Sequence, residues 1–183
     1  MRALLMGGQA CILYGAAEFS RDTDLAVLAS PANLARLRGA LDDLRAEVIT
    51  VPPFEAKYLR RGHAVHFRCQ VPEAVGMRVD VMTRMRGVDA FPKLWARRTS
   101  LVLPDGTRYE VMSLPDLVRA KKTQHDKDWP MALLKQARPG REAELAEGLV
   151  REEWAERQAD ARYWAPLKVE LERLRHPRPP RER

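Results

Sequence analysis

The chain has 183 residues, 45% of them apolar and 31% charged, with a formal net charge of +7. That apolar share is ordinary for a globular domain and excludes an intrinsically disordered chain, and the length allows one full domain or one with a small appendage. No apolar run approaches the ~18 residues of a membrane span, Met1 to Gly8 lacks the length and cleavage pattern of a secretory signal, and two cysteines, Cys11 and Cys69, make no disulfide framework, so a cytoplasmic setting with no membrane partner is expected.

In chain order, Ala3 to Met6 is a short apolar run ending in Gly7-Gly8 and predicts a buried strand. Gln9 to Ala17 follows as a helix, and Asp24 to Ala29 as a second strand. Ser30-Pro31 is a helix start, with serine as N-cap and proline in the first turn. Leu34, Leu37, Leu41 and Leu44 recur at spacings of three and four, so residues 31 to 46 should form an amphipathic helix. Val48 to Val51 reads as a strand stopped by Pro52-Pro53. Residues 63 to 71 and 77 to 83 read as two more strands, and Phe91 to Arg98 as a short helix. Leu101 to Leu103 and Tyr109 to Met112 flank Pro104-Asp105-Gly106, a hairpin signal. Ser113 then caps a helix with Pro115 and Asp116 in its first turn. From there to Arg175 the pattern is helical, with breaks expected near Pro130, Pro139-Gly140 and Pro166, and the tail 177 to 183 should fray. Strands and helices mix first and helices alone follow. The expectation is therefore an α/β (α+β) fold with a catalytic-type core over 1 to 112, a helical region over 113 to 176 and a flexible tail.

The positive charge is local. Residues 57 to 98 hold 10 basic and 3 acidic side chains, while the remainder of the chain balances. Such a segment suits RNA or nucleotide phosphates, although a solubility role with compositional bias toward arginine explains it equally well.

The strongest chemical feature is Gly7-Gly8 followed by Asp22-Thr23-Asp24. Residues two apart on a strand share a face, so Asp22 and Asp24 project together while Thr23, Leu25 and Val27 turn into packing. Two adjacent carboxylates repel unless one is protonated or a divalent cation lies between them, and Mg²⁺ suits few carboxylates completed by phosphate oxygens. A Gly-Gly turn between strand and helix permits close backbone approach and offers N–H groups to a phosphate. In Met77-Arg78-Val79-Asp80-Val81-Met82 the alternation sends Asp80 off the packed face, as a third carboxylate for a metal or a base, or as the partner of Arg78 on a solvated face. His63, His66 and Cys69 fall on a strand pattern that puts the histidines on opposite faces, which argues against zinc. Trp95, Trp129, Trp154 and Trp164 read as packing residues rather than base-stacking platforms.

Taken together, Gly7-Gly8, Ser20-Arg21-Asp22-Thr23-Asp24 and Asp80 resemble the three-carboxylate signature of the nucleotidyltransferase-fold superfamily, which includes DNA polymerase β. The nearer likeness is to small bacterial nucleotidyltransferase-like proteins of abortive-infection and type IV toxin–antitoxin systems. In them a helix beginning Ser-Leu-x-Asp-Leu carries a lysine and a Lys-Asp pair follows; here Ser113-Leu114-Pro115-Asp116-Leu117 leads to Lys121-Lys122 and Lys127-Asp128. The resemblance covers roughly residues 3 to 135. It implies a mixed sheet in which Asp22, Asp24 and Asp80 hold Mg²⁺ (or Mn²⁺), Gly7 and Gly8 border the triphosphate of an NTP, and Lys121 or Lys122 contacts phosphate. This chain departs from the pattern at Gly8, often serine in the family, at His125, near a usual arginine, and in opening directly on its first strand. The implied activity is transfer of a nucleoside monophosphate from an NTP to a hydroxyl of RNA, tRNA, protein or a small molecule, with RNA held by the basic segment 57–98. The rival readings are a non-catalytic RNA- or protein-binding module of the same fold, and one half of a toxin–antitoxin pair whose partner protein covers the cleft.

Overall fold

The computed structural model describes residues 1–16, 20, 22–122 and 142–176. Its centre is a mixed seven-stranded sheet. The strands are β1 (Ala3–Met6), β2 (Asp22–Val27), β3 (Glu47–Val48), β4 (Val65–Arg68), β5 (Arg78–Met82), β6 (Thr99–Val102) and β7 (Arg108–Val111), in the spatial order β3-β4-β5-β2-β1-β7-β6. The helices are α1 (Gly7–Leu13), α2 (Pro31–Asp43), α3 (Ala56–Arg61), α4 (Phe91–Ala96), α5 (Leu114–Lys122) and α6 (Glu142–Arg175). The mixed α/β class read from the sequence is the class observed. No helix among the described residues is long and apolar enough to cross a membrane.

Two apolar clusters, one on each face of the sheet, follow from strand alternation. Val27, Val65, Phe67, Val79 and Val81 pack with Leu34, Leu37 and Leu41 of α2 and Leu59 of α3. Leu4, Met6 and Ala26 face the other way, onto Ala10 of α1, Phe91 and Leu94 of α4, and Leu117 and Ala120 of α5. The packed core therefore runs past residue 112, through α5. Asn33 fastens the central strands: its side-chain amide donates to the carbonyls of Arg2 and Leu28 at 2.9 and 3.0 Å, and its oxygen accepts from the Arg2 amide at 2.6 Å.

Several boundaries differ from the sequence expectation. The first helix starts at Gly7, two residues early, because Gly7 takes φ +64° and turns the chain straight out of β1. The strand expected over 48 to 51 shrinks to Glu47–Val48, at the sheet edge. Helix α3 had no periodic signal in its six residues. The break expected at Pro166 does not occur, and α6 continues through it. Proline frees the carbonyl four residues back; here that carbonyl belongs to Arg162, on an exposed part of the helix, while the neighbouring Leu167 is buried against the core. Pro130 and Pro139-Gly140 lie outside the described residues, as does the tail 177–183. Trp95 stacks on Phe91 and Trp164 meets Tyr163 edge-on, as expected of packing residues, whereas Trp154 is 65% exposed. Trp129 lies outside the described residues.

Candidate functional site

Strands β2 and β5 run parallel with Asp22 opposite Arg78 and Asp24 opposite Asp80, and β4 adds His66 opposite Asp80. Register partners share a face. The sheet thus sets Asp22, Asp24, Asp80, Arg78 and His66 side by side where β2 leaves the apolar cover. Antiparallel β1 places Met6 opposite Asp24, so the turn at Gly7 begins beside that carboxylate.

The two glycines have separate reasons. A Cβ on Gly7 would fall 1.8 Å from Asp24 Oδ2, and one on Gly8 would fall 2.3 Å from Ser20 Oγ. Gly7 makes room for the Asp24 carboxylate against the backbone, at a positive φ that other residues rarely adopt. Gly8 makes room for Ser20, whose hydroxyl donates to the Asp22 carbonyl at 3.1 Å and holds the entry to β2.

The carboxylates differ in acidity. Burial pushes Asp24 above the usual carboxylate range, repulsion from Asp80 and Asp22 adds to this, and the Lys121 and Arg78 charges offset it only in part. Asp80 is 7% exposed, and burial acts on it in the same direction. Hydrogen bonds with His66 and Arg78 prevail, however, and hold Asp80 below its ordinary value. Arg78 donates from Nε to Asp80 Oδ1 and from Nη2 to Oδ2, both at 2.9 Å. His66 Nδ1 stands 2.8 Å from Asp80 Oδ1 and 3.1 Å from Arg78 Nη2. The Arg78–Asp80 pair weighed from the sequence forms, but on a buried carboxylate rather than a solvated face.

Lys121 reaches the site from α5, whose position is set by its first turn. Ser113 Oγ donates to Asp116 Oδ2 at 2.8 Å, and Arg97 grips both oxygens of Asp116 at 2.8 and 3.0 Å. Asp116 is 1% exposed. Burial would raise its pKa, but hydrogen bonds from Arg97 and Ser113 outweigh it and keep the group ionised. The Ser-Leu-x-Asp-Leu motif is thus a helix anchor. Lys122 is the last residue of α5, and its side chain lies outside the described part, as do Arg21, His125, Lys127 and Asp128.

The donor set suits one small hard cation. Asp22 and Asp24 share a face and leave negative charge only partly offset, and Mg²⁺ characteristically takes one or two carboxylates together with substrate phosphates. Asp80 does not fit as a further ligand in this arrangement, because Arg78 and His66 already engage its oxygens. No group of three or more His, Cys, Asp or Glu side chains among the described residues is placed to hold a metal ion.

The basic segment changes character on folding. Seven of its ten cations, Lys57, Arg61, Arg78, Arg86, Lys93, Arg97 and Arg98, are within ion-pair distance of carboxylates, most of them outside the segment: Glu55, Glu170, Asp160, Asp116 and Glu110. Its excess charge is therefore largely matched within the chain. His63 and His66 line one cavity of about 330 Å³ with Trp164 and Lys168 of α6. The strand alternation that would separate them starts only at Val65. His63 is 2% exposed and meets Glu170 of α6 at 2.7 Å, and buried Cys69 belongs to the core, so the three form no metal centre.

Arg78 and His66 are the site residues whose part the sequence least disclosed. The signal for Arg78 was its two-residue spacing from Asp80; nothing local marked His66. No protein-family model matches the chain, and no curated protein is significantly similar to it.

Proposed function

We propose that the chain is a metal-dependent nucleotidyltransferase of the nucleotidyltransferase-fold superfamily. It joins a nucleoside monophosphate from an NTP to an acceptor hydroxyl: the hydroxyl oxygen bonds to the α-phosphorus, the bond to the β-phosphate oxygen breaks, pyrophosphate leaves and the hydroxyl proton passes to solvent. The observation that carries the reading is the register of β2 on β5, which aligns Asp22 and Asp24 beside Asp80 at the glycine bend. Asp22 and Asp24 would hold Mg²⁺ or Mn²⁺; the bound ion supplies charge neutralisation at the phosphates and acidifies the acceptor hydroxyl. Lys121, whose charge already reaches Asp24, offsets the charge of the triphosphate. The cavity of about 330 Å³ that His66 lines, on the strand beside Asp80, would give an acceptor room.

Incubation with each α-labelled NTP, Mg²⁺ and total RNA tests this reading and reports whether RNA, protein or a small molecule becomes labelled. Asp22→Asn and Asp24→Asn should each abolish transfer with the far-ultraviolet circular dichroism unchanged; transfer at the wild-type level in both variants rejects the assignment.

The engagement of Asp80 by Arg78 and His66 favours a second reading, a non-catalytic module of the same fold. It predicts salt-sensitive RNA or protein binding with no affinity for NTPs in isothermal titration.

A further inference from the structure

Two-cation phosphoryl-transfer sites place a second ion about 3.5–4 Å from the first, held by a carboxylate they share. Here the carboxylate in position to be shared is Asp80, opposite Asp24. Both of its oxygens accept from one cation: Arg78 Nε and Nη2 each approach at 2.9 Å and bring a fixed positive charge to the carboxylate. Arg78 arises from the strand position opposite Asp22, so its charge lies among all three acids. The pair is braced on its far side by His66, on the adjoining strand β4. Removing Arg78 would leave a carboxylate that is 7% exposed with only His66 as a partner.

Resting on the proposed reading of this site, we infer that the protein binds a single divalent cation, through Asp22 and Asp24, and that the Arg78 guanidinium is a built-in positive charge in the place of a second ion. Arg78 is thereby a positioning residue, one that sets cation stoichiometry and keeps Asp80 out of the coordination shell. Such a site gains charge neutralisation that needs no free metal, and gives up the second acidified ligand that a two-ion site has.

The test is Mn²⁺ titration of the full chain, followed by electron paramagnetic resonance with and without a non-hydrolysable ATP analogue. Wild type should bind one Mn²⁺ and show the spectrum of an isolated ion in both conditions. Asp24→Asn should lose that ion. Arg78→Met should bind a second Mn²⁺ and show coupling between neighbouring spins, whereas Arg78→Lys, which keeps the charge, should remain at one ion and controls for folding. Two coupled ions in the wild type, or one ion in Arg78→Met, overturns the inference and leaves the nucleotidyltransferase reading standing. Absence of Mn²⁺ binding in the wild type, with or without nucleotide, overturns both.

Discussion

Asp24 and Asp80 are register partners on adjacent parallel strands, yet the fold drives their acidities apart. Asp80 faces two hydrogen-bonding partners that stabilise its charge, while burial and two other acids act on Asp24 and the Lys121 and Arg78 charges offset them only in part. Separation of this kind assigns roles. Asp80 is an ionised strut, and on the proposed reading Asp24 carries the charge left for a ligand.

The first prediction follows from the sign of that shift. A carboxyl whose folded pKa is raised binds its proton more tightly in the folded chain, so stability falls as pH rises from the unfolded value through the folded one. Asp24→Asn should therefore raise the metal-free melting temperature at pH 7 and leave it little changed near pH 3.5, where wild-type Asp24 is protonated. It should also remove any Mg²⁺-dependent increase. Differential scanning calorimetry at the two pH values, with and without chelator, measures both effects.

Gly7→Ala should be costly. The new methyl meets Asp24 Oδ2 and the backbone stays at φ +64°, a strain of about 1–2 kcal/mol before any steric overlap is counted. Urea unfolding should show at least that loss. Because Asp24 must shift to admit the methyl, nucleotide-dependent Mn²⁺ affinity should fall as well. Unchanged stability would show that Gly7 is not constrained by Asp24.

Arg97→Met tests the anchor of α5. It leaves Asp116, 1% exposed, with Ser113 and the longer 3.4 Å contact from Arg119. The Arg97 side chain is itself 41% exposed, so solvent screens part of the pair, but a buried carboxylate that loses its two closest donors should still lower stability measurably. The sign is opposite to that for Asp24. A depressed carboxyl pKa contributes stability above the unfolded value of about 3.9, and that contribution is lost as pH falls through the folded value. Stability curves for wild type and variant should therefore lie apart at pH 6 and converge below about pH 4.

Asn33→Leu keeps the branched outline of the side chain and removes three hydrogen bonds to Arg2 and Leu28. The Arg2 carbonyl keeps the Leu28 amide at 3.3 Å, and the Leu28 carbonyl and Arg2 amide lose their asparagine partner, so a loss of about 1–3 kcal/mol is expected. Amide exchange at Arg2 and along β1 should accelerate more than in α2 if the asparagine fastens the strands rather than the helix.

Where the chain reports its own local geometry, sequence and structure agree. Ser30 caps α2 by accepting from the Asn33 amide at 3.3 Å, and the Asp105 side chain accepts from the Thr107 amide within the expected hairpin. Alternation along β2 puts Ala26 in one apolar cluster and Val27 in the other, and so fixes the shared face of Asp22 and Asp24. These features depend on neighbours a few residues away, and rotamer, turn and pleat geometry make them legible.

The remainder depends on which distant strands pair, and no local pattern encodes that. The register of residue 24 on residue 80, and of 80 on 66, is decided by burial of both sheet faces at once. That register brings His66 onto the local Arg78–Asp80 pair and makes Asp24 the poorly compensated acid. The same long-range pairing matches most of the cations of segment 57–98 to carboxylates elsewhere in the chain. Composition and spacing fixed which groups this protein has, which face of its own strand each occupies and local pairs such as Arg78–Asp80; the tertiary structure decided which charges from distant segments meet, because electrostatic partnership is set by distance through space and not by separation along the chain.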